Sequence, residues 1–152
     1  MRSFYNESDR AAIVARLRRL RPESVRRWGR MTPHQAVCHL SDAFRATMGE
    51  RAVSPAGGAA GRTLLKFIAL KTPLPWPKGF KTRPEVDQEQ GGTRPVEFAR
   101  DVAELERLIA RFTRSPKDFE PPPHPVFGVL TEREWLRWGY LHMDHHLRQF
   151  GV

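Results

Sequence analysis

Leu141-His142-Met143-Asp144-His145-His146-Leu147-Arg148-Gln149 is the stretch whose reading decides the fold. In a helix, residues four apart share a face, so His142 and His146 project side by side. Two imidazoles held this way can chelate one divalent ion without backbone movement, and neutral imidazole suits zinc, nickel, copper and iron. His145 directly precedes a ligand position and points about 100° away from it. It is set apart from the pair, either as a group at the pocket wall or as a surface residue. The stretch closes a helix that opens at the capping box Thr131-Glu132-Arg133-Glu134 and runs to about Gln149.

Three more long helices are read upstream. The first spans Asn6 or Ser8 to Leu20, with Ile13, Val14, Leu17 and Leu20 as its apolar stripe, and Pro22 ends it or kinks the connection. The second opens at Thr32-Pro33-His34-Gln35, where Thr32 caps, Pro33 suits the first position and Gln35 completes a capping box. Ala36, Val37, Leu40, Ala43, Phe44 and Met48 form its buried side as far as Gly49. The third long helix runs from Pro95 or Val96 to Thr113, with Phe98, Val102, Leu105, Leu108, Ile109 and Phe112 recurring at spacings of three and four. Between the second and third lie a loop rich in small residues, Gly49 to Gly61, and a short helix over Arg62–Leu70. Pro73, Pro75 and Pro77 keep the next segment out of any helix interior, and Pro121-Pro122-Pro123-His124-Pro125 reads as an extended loop. No strand-like alternation is long enough for a sheet, so the class is all-α.

A chelating pair asks for a third ligand. His39, among apolar positions of the second helix, is the best candidate, and three nitrogens with one open position is the pattern of a catalytic rather than a structural zinc site. His39 lies about 9 Å from the start of its helix, while His142 and His146 lie roughly 12 and 6 Å before the end of theirs, at ~1.5 Å per residue. The three meet only if the second and last helices run antiparallel. An up-down-up-down bundle makes them parallel. The long crossover from Gly49 to Arg94 permits the other arrangement, a four-helix bundle of up-down-down-up topology.

Composition narrows the rest. At 152 residues the chain is expected to form one domain spanning 1–152 with a core that needs no staples. Cys38 is the only cysteine, which excludes an internal disulfide and fits a cytoplasmic location. The opening residues have no apolar h-region, and no apolar run approaches a membrane span, so no membrane partner is expected. A net charge of +9, with seven arginines between Arg16 and Arg30, raises the nucleic-acid reading. Arginine so outnumbers lysine, however, that a GC-rich genome accounts for the bias, and the interleaved leucines fit an amphipathic helix with a solvated face.

A second-helix histidine, a long crossover and a final His-x-x-x-His followed three residues later by Gln149 resemble the DinB/YfiT-like family of metal-dependent enzymes. Trp28-Gly29-Arg30-Met31-Thr32-Pro33-His34-Gln35, Cys38-His39-Leu40, Pro73-Leu74-Pro75-Trp76-Pro77-Lys78-Gly79, His124-Pro125-Val126-Phe127-Gly128 and the block from His142 to Gly151 resemble an uncharacterised branch of it. The resemblance implies an up-down-down-up four-helix bundle and one nickel, zinc or iron ion at His39, His142 and His146. It further implies a small-molecule substrate, with thiol S-transferases using low-molecular-weight thiols, and a thiol-dependent isomerase, among the relatives. The family often ends the motif His-Arg-Gly-Gln, whereas here it reads His146-Leu147-Arg148-Gln149, so contacts at that end are expected to differ.

Several neighbours complete the reading. Gln35 and Gln149 lie about one turn from proposed ligands and are candidates to orient an imidazole, although capping is the preferred role for Gln35. Asp42 either accepts an imidazole N–H or faces solvent. Cys38 is read as a small buried hydrophobe rather than a nucleophile. Trp28, Trp135 and Trp138 are expected in the core and His34 exposed, while His124 either closes over the pocket or, as is usual for a loop histidine, is solvated. The leading expectation is a metal-dependent transferase or hydrolase. A non-catalytic metal-binding module, which a homodimer would suit, and a basic nucleic-acid-binding protein are the alternatives.

Overall fold

A computed structural model describes residues 1–56, 62–114 and 119–152. Among these residues the chain is all-helical, with five α-helices: α1 (Glu7–Leu17), α2 (Pro33–Thr47), α3 (Arg62–Lys71), α4 (Phe98–Arg114) and α5 (Glu132–Gln149). A short 3-10 turn, Pro84–Val86, lies in the crossover, and the nearest approach to a strand is an isolated bridge between His124 and Gly128. Part of the expected 49–61 loop lies outside the described residues. No helix among those described is long and apolar enough to cross a membrane.

Local chemistry sets the helix ends. Both capping boxes form: the Thr32 hydroxyl accepts from Gln35 N–H while Gln35 Oε1 accepts from Thr32 N–H, and Thr131 and Glu134 do the same for α5. The first helix stops at Leu17 rather than Leu20, because Arg19 and Leu20 N–H groups turn back to the Arg16 and Leu17 carbonyls three residues behind. The fourth starts at Phe98 rather than at Pro95 or Val96. The Glu97 carboxylate accepts from the N–H groups of Ala99 and Arg100, capping the first turn with the charge the helix dipole favours.

The core is built from one face of each long helix: Ile13 and Leu17, then Val37, Leu40 and Phe44, then Leu105, Leu108 and Phe112, then Trp138, Met143 and Leu147. Phe4, ahead of α1, is fully buried as well; its N–H donates to the Leu136 carbonyl and its ring meets Phe44 and Tyr140. Gly139 makes room for it. A Cβ there would stand 3.0 Å from the Phe112 ring and 3.1 Å from that of Phe4.

Contacts along the helices fix their relative directions. Phe4 meets Leu136 while Arg16 pairs with Asp144 at 2.7 Å, so α1 and α5 run the same way. His34 pairs with Asp101 and Phe44 packs on Phe112, so α2 and α4 also run together. Phe44 meets Trp138 while His39 meets His142 and His146, so α2 opposes α5. That is the polarity the histidine spacing demands.

Asp42 anchors the crossover. It is fully buried, and its carboxylate accepts from Thr93 N–H (2.7 Å), Thr93 Oγ1 (2.6 Å) and Gln88 Nε2 (3.1 Å), with the Arg45 and Arg51 guanidiniums at 3.4 and 3.3 Å. Five donors from the crossover and the helix itself thus converge on one charge. Asp42→Ala leaves buried donors unpaired and should cost about 3 kcal/mol. Urea unfolding measures this, and a loss below ~0.5 kcal/mol would remove the anchoring role.

Candidate metal centre

α2 and α5 bring His39, His142 and His146 together. One ring nitrogen of each lies within 4.8 Å of one from each of the others, and the ring centroids are 4.9 to 5.1 Å apart. Two of the three tautomers are fixed by hydrogen bonds. His39 Nδ1 lies 2.7 Å from the Val86 carbonyl, which can only accept, so Nδ1 carries the proton and Nε2 is a bare lone pair. His146 is set through a longer chain. Gln149 Nε2 donates to the Trp28 carbonyl at 2.9 Å, which turns Gln149 Oε1 toward His146 Nδ1 at 3.0 Å, so His146 likewise has its lone pair on Nε2.

His142 completes the set. Its Nε2 lies 3.1 Å from His39 Nε2, and its buried Nδ1 has no hydrogen-bond partner among the described residues. Either tautomer leaves something unpaired. With the proton on Nδ1, an N–H is stranded and two lone pairs face each other; with the proton on Nε2, the Nδ1 lone pair is stranded. Nitrogens ligating one ion at ~2.0–2.1 Å stand roughly 3–3.5 Å apart, so the observed separation suits a shared cation. The donor set fits a divalent transition metal: three neutral imidazoles, two of them held by the kind of outer hydrogen bond that orients metal ligands.

Burial keeps these rings neutral. It lowers His39, against the opposing pull of the Val86 carbonyl and of Asp42 and Asp87. Burial and then the neighbouring imidazoles push His142 and His146 well below the ordinary histidine value. Burial and the nearby Arg148 bring His145 to about 4, and burial alone brings His124 to about 3.

A cavity of about 520 Å³ opens on the triad, between α2, α3, α5, the 74–83 segment and the 122–127 loop. Trp76, Trp138 and Phe127 are among its aromatic walls; the Trp76 ring stands 5.9 Å from His142 and 6.2 Å from His145, its indole N–H donating to the Ala69 carbonyl at 3.0 Å. His145 lines the same cavity beside His146, against Trp28 at 5.9 Å, with its Nδ1 buried and unpartnered among the described residues.

The other candidates fall elsewhere. Gln35 serves as a cap and Asp42 holds the crossover; the N–H of His39 goes to Val86 instead. Gln149 is the one companion of the four that hydrogen-bonds a proposed ligand. Trp28, expected in the core, is half-buried beneath the Lys78 ammonium, 4.7 Å from its ring, whereas Trp135 and Trp138 are buried. His34 is half-buried, not exposed. It forms a second close group with Cys38 and Asp101, in which His34 Nε2 and Asp101 Oδ2 already satisfy each other at 2.7 Å. Burial and Asp101 push the Cys38 thiol up to about 12, so it is an uncharged buried group. His124 is a cavity residue rather than a solvated one. In the arginine-rich stretch, Arg16 pairs with Asp144, Arg18 with Glu106, and Arg30 with Asp87 and Glu89.

Sequence reading missed the Val86 carbonyl and the cavity wall, and the only signal for either was the run of prolines around Trp76 and His124. Among the described residues the chain is thus all-helical, with a histidine cluster lining a largely apolar cavity. The family described as protein of unknown function, DUF1569, matches residues 4–151, and the chain belongs to that family. No curated protein and no solved structure matches it.

Two outcomes follow from the geometry. Gln149→Leu frees the His146 ring and should weaken zinc binding by about 10–100-fold, read by competition with a chromogenic chelator; unchanged affinity would separate Gln149 from the cluster. The metal-free protein should keep its stability above about pH 6.5 and lose it as the pH falls, because the unfolded chain takes up protons that the buried imidazoles refuse. Urea midpoints at pH 7.5, 6.5 and 5.5 measure this, and a midpoint that rises on acidification would contradict it.

Proposed function

We propose that His39, His142 and His146 bind one divalent transition metal ion, nickel, zinc or iron, with one coordination position left to the cavity. The protein is then a metal-dependent enzyme acting on a small molecule there, by S-transfer with a low-molecular-weight thiol or by hydrolysis. The observation that carries this reading is the convergence of two tautomer-locked imidazoles, His39 and His146, on His142, whose Nε2 stands 3.1 Å from that of His39. Bound at these nitrogens, the ion would supply Lewis acidity, lowering the pKa of a thiol or water.

The chain's own residues account for the remaining requirements. Val86 and Gln149 hold two imidazoles in the tautomer that leaves Nε2 free to ligate, and Trp76, Trp138 and Phe127 give the cavity beside the triad apolar walls. We read the four long helices as an up-down-down-up bundle, with α3 carried in the crossover and kinship to the DinB/YfiT-like proteins. The pairwise helix directions support this reading.

One observation favours a second reading, a non-catalytic metal-binding module: among the described residues, no Asp, Glu or Cys lines the cavity. Elemental analysis after metal loading tests the shared part. One ion per chain is expected, lost in His142→Ala combined with His146→Ala. No stoichiometric ion, or unchanged retention in that variant, overturns both readings. Turnover of thiol or ester substrates by the loaded protein selects the enzyme, and stoichiometric metal without turnover selects the module.

A further inference from the structure

His124 is held in a way that the metal reading leaves unused. It sits in the loop between α4 and α5, and that loop closes on itself: His124 and Gly128 exchange backbone hydrogen bonds of 2.8 and 2.9 Å across a turn in which Gly128 has φ +70°. Inside the turn, the Val126 and Phe127 N–H groups both donate to His124 Nδ1, at 3.1 and 3.2 Å. Two donors aimed at one nitrogen require that nitrogen to be a lone pair. The proton of the neutral ring is therefore on Nε2, and it cannot move to Nδ1 without breaking the turn.

This tautomer is the reverse of the one found in His39 and His146. Those rings present lone pairs, and His124 presents an N–H. Nε2 lies on the ring edge away from the turn and has no protein partner among the described residues, while the residue lines the same cavity as the triad. The ring is also clamped. It stacks on Phe127 at 4.6 Å and 17°, with Trp135 at 5.6 Å and Trp138 at 5.5 Å. A fixed neutral donor, set among aromatic walls in the cavity that the triad also lines, is a preorganised site for an acceptor atom.

We propose that His124 Nε2–H positions the ligand of this cavity, a small aromatic or apolar molecule whose oxygen acceptor it binds while the same functional group reaches the triad. The proposal rests on the metal reading for the second contact only. The apolar body fits the walls formed by Leu65, Ile68, Trp76, Phe127 and Trp138, and the fixed N–H chooses the end that points inward. Since a protonated Nδ1 is excluded by the turn, His124 orients the ligand without serving as an acid.

Benzohydroxamate is a suitable probe, with an aromatic body and adjacent oxygen acceptors. Its binding to zinc-loaded and to zinc-free protein can be followed by the fluorescence of the cavity tryptophans, with zinc content measured in parallel. In His124→Asn, Oδ1 takes the place of Nδ1 and preserves the turn while the inward donor is lost. In His124→Gln, Nε2 restores that donor. Saturable binding to the loaded wild type is expected, weaker by about tenfold in His124→Asn at unchanged zinc content and partly regained in His124→Gln. Equal affinity in wild type and His124→Asn, or no saturable binding to the wild type in either form, overturns the proposal. Failure of the wild type to take up zinc overturns the metal reading alone. The zinc-free titration still decides on His124, which requires weaker binding in His124→Asn there as well.

Discussion

The hydrogen bond from His39 Nδ1 to the Val86 carbonyl is the contact on which the rest of the site depends. It joins α2 to the far end of a crossover more than thirty residues long and chooses which nitrogen of His39 faces the cavity. Asp42, one turn along α2, gathers Gln88 and Thr93 from the same crossover and so keeps Val86 within reach. The crossover is long enough to reverse the usual order of helices, and these two residues hold it in place.

A second chain of contacts does the same for α5. Gly29, at φ +73°, brings the Trp28 carbonyl against Gln149, and a Cβ at that position would meet Gln149 Nε2 at 2.7 Å. The Arg27 N–H donates to the Gln149 carbonyl at 2.7 Å, so the segment ahead of α2 docks on the end of α5 at both backbone and side chain. Glycine is required there, because any other residue would displace the amide that orients His146. Backbone carbonyls thus determine the tautomers of both His39 and His146, and these buried rings cannot rearrange without losing those hydrogen bonds. His142 is left with an unpaired polar atom among the described residues whichever proton position it takes, and with the proton on Nδ1 its Nε2 lone pair faces that of His39, a repulsion that a cation between the two would relieve.

Much of this was legible in the sequence, and the reason is periodicity. Spacings of three and four marked the apolar faces that pack in α1, α2, α4 and α5, and the capping boxes at Thr32 and Thr131 form as read. The placement of His39 near the start of one helix and His142 and His146 near the end of another required antiparallel helices, and α2 and α5 run that way. What escaped reading lies where the chain has no repeat. Phe4 is fully buried ahead of any helix, Val86 contributes a main-chain atom that every residue possesses, and Trp28 packs on a lysine far away in sequence. Asp42 reads as either an imidazole partner or a solvent-facing residue because helical spacing shows only its neighbours on the helix, and its hydrogen bonds from Gln88 and Thr93 come from the crossover. His124 shows the same limit, since its tautomer depends on a turn closed by Gly128.

Anomalous diffraction from crystals of the metal-loaded protein, collected at the iron, nickel and zinc edges, tests the central claim most directly. The account predicts one peak, bonded to the Nε2 atoms of His39, His142 and His146, with the Val86 hydrogen bond intact behind His39 and the Gln149 hydrogen bond intact behind His146. Absence of a peak there, or a peak instead at His34, Cys38 and Asp101, would contradict it.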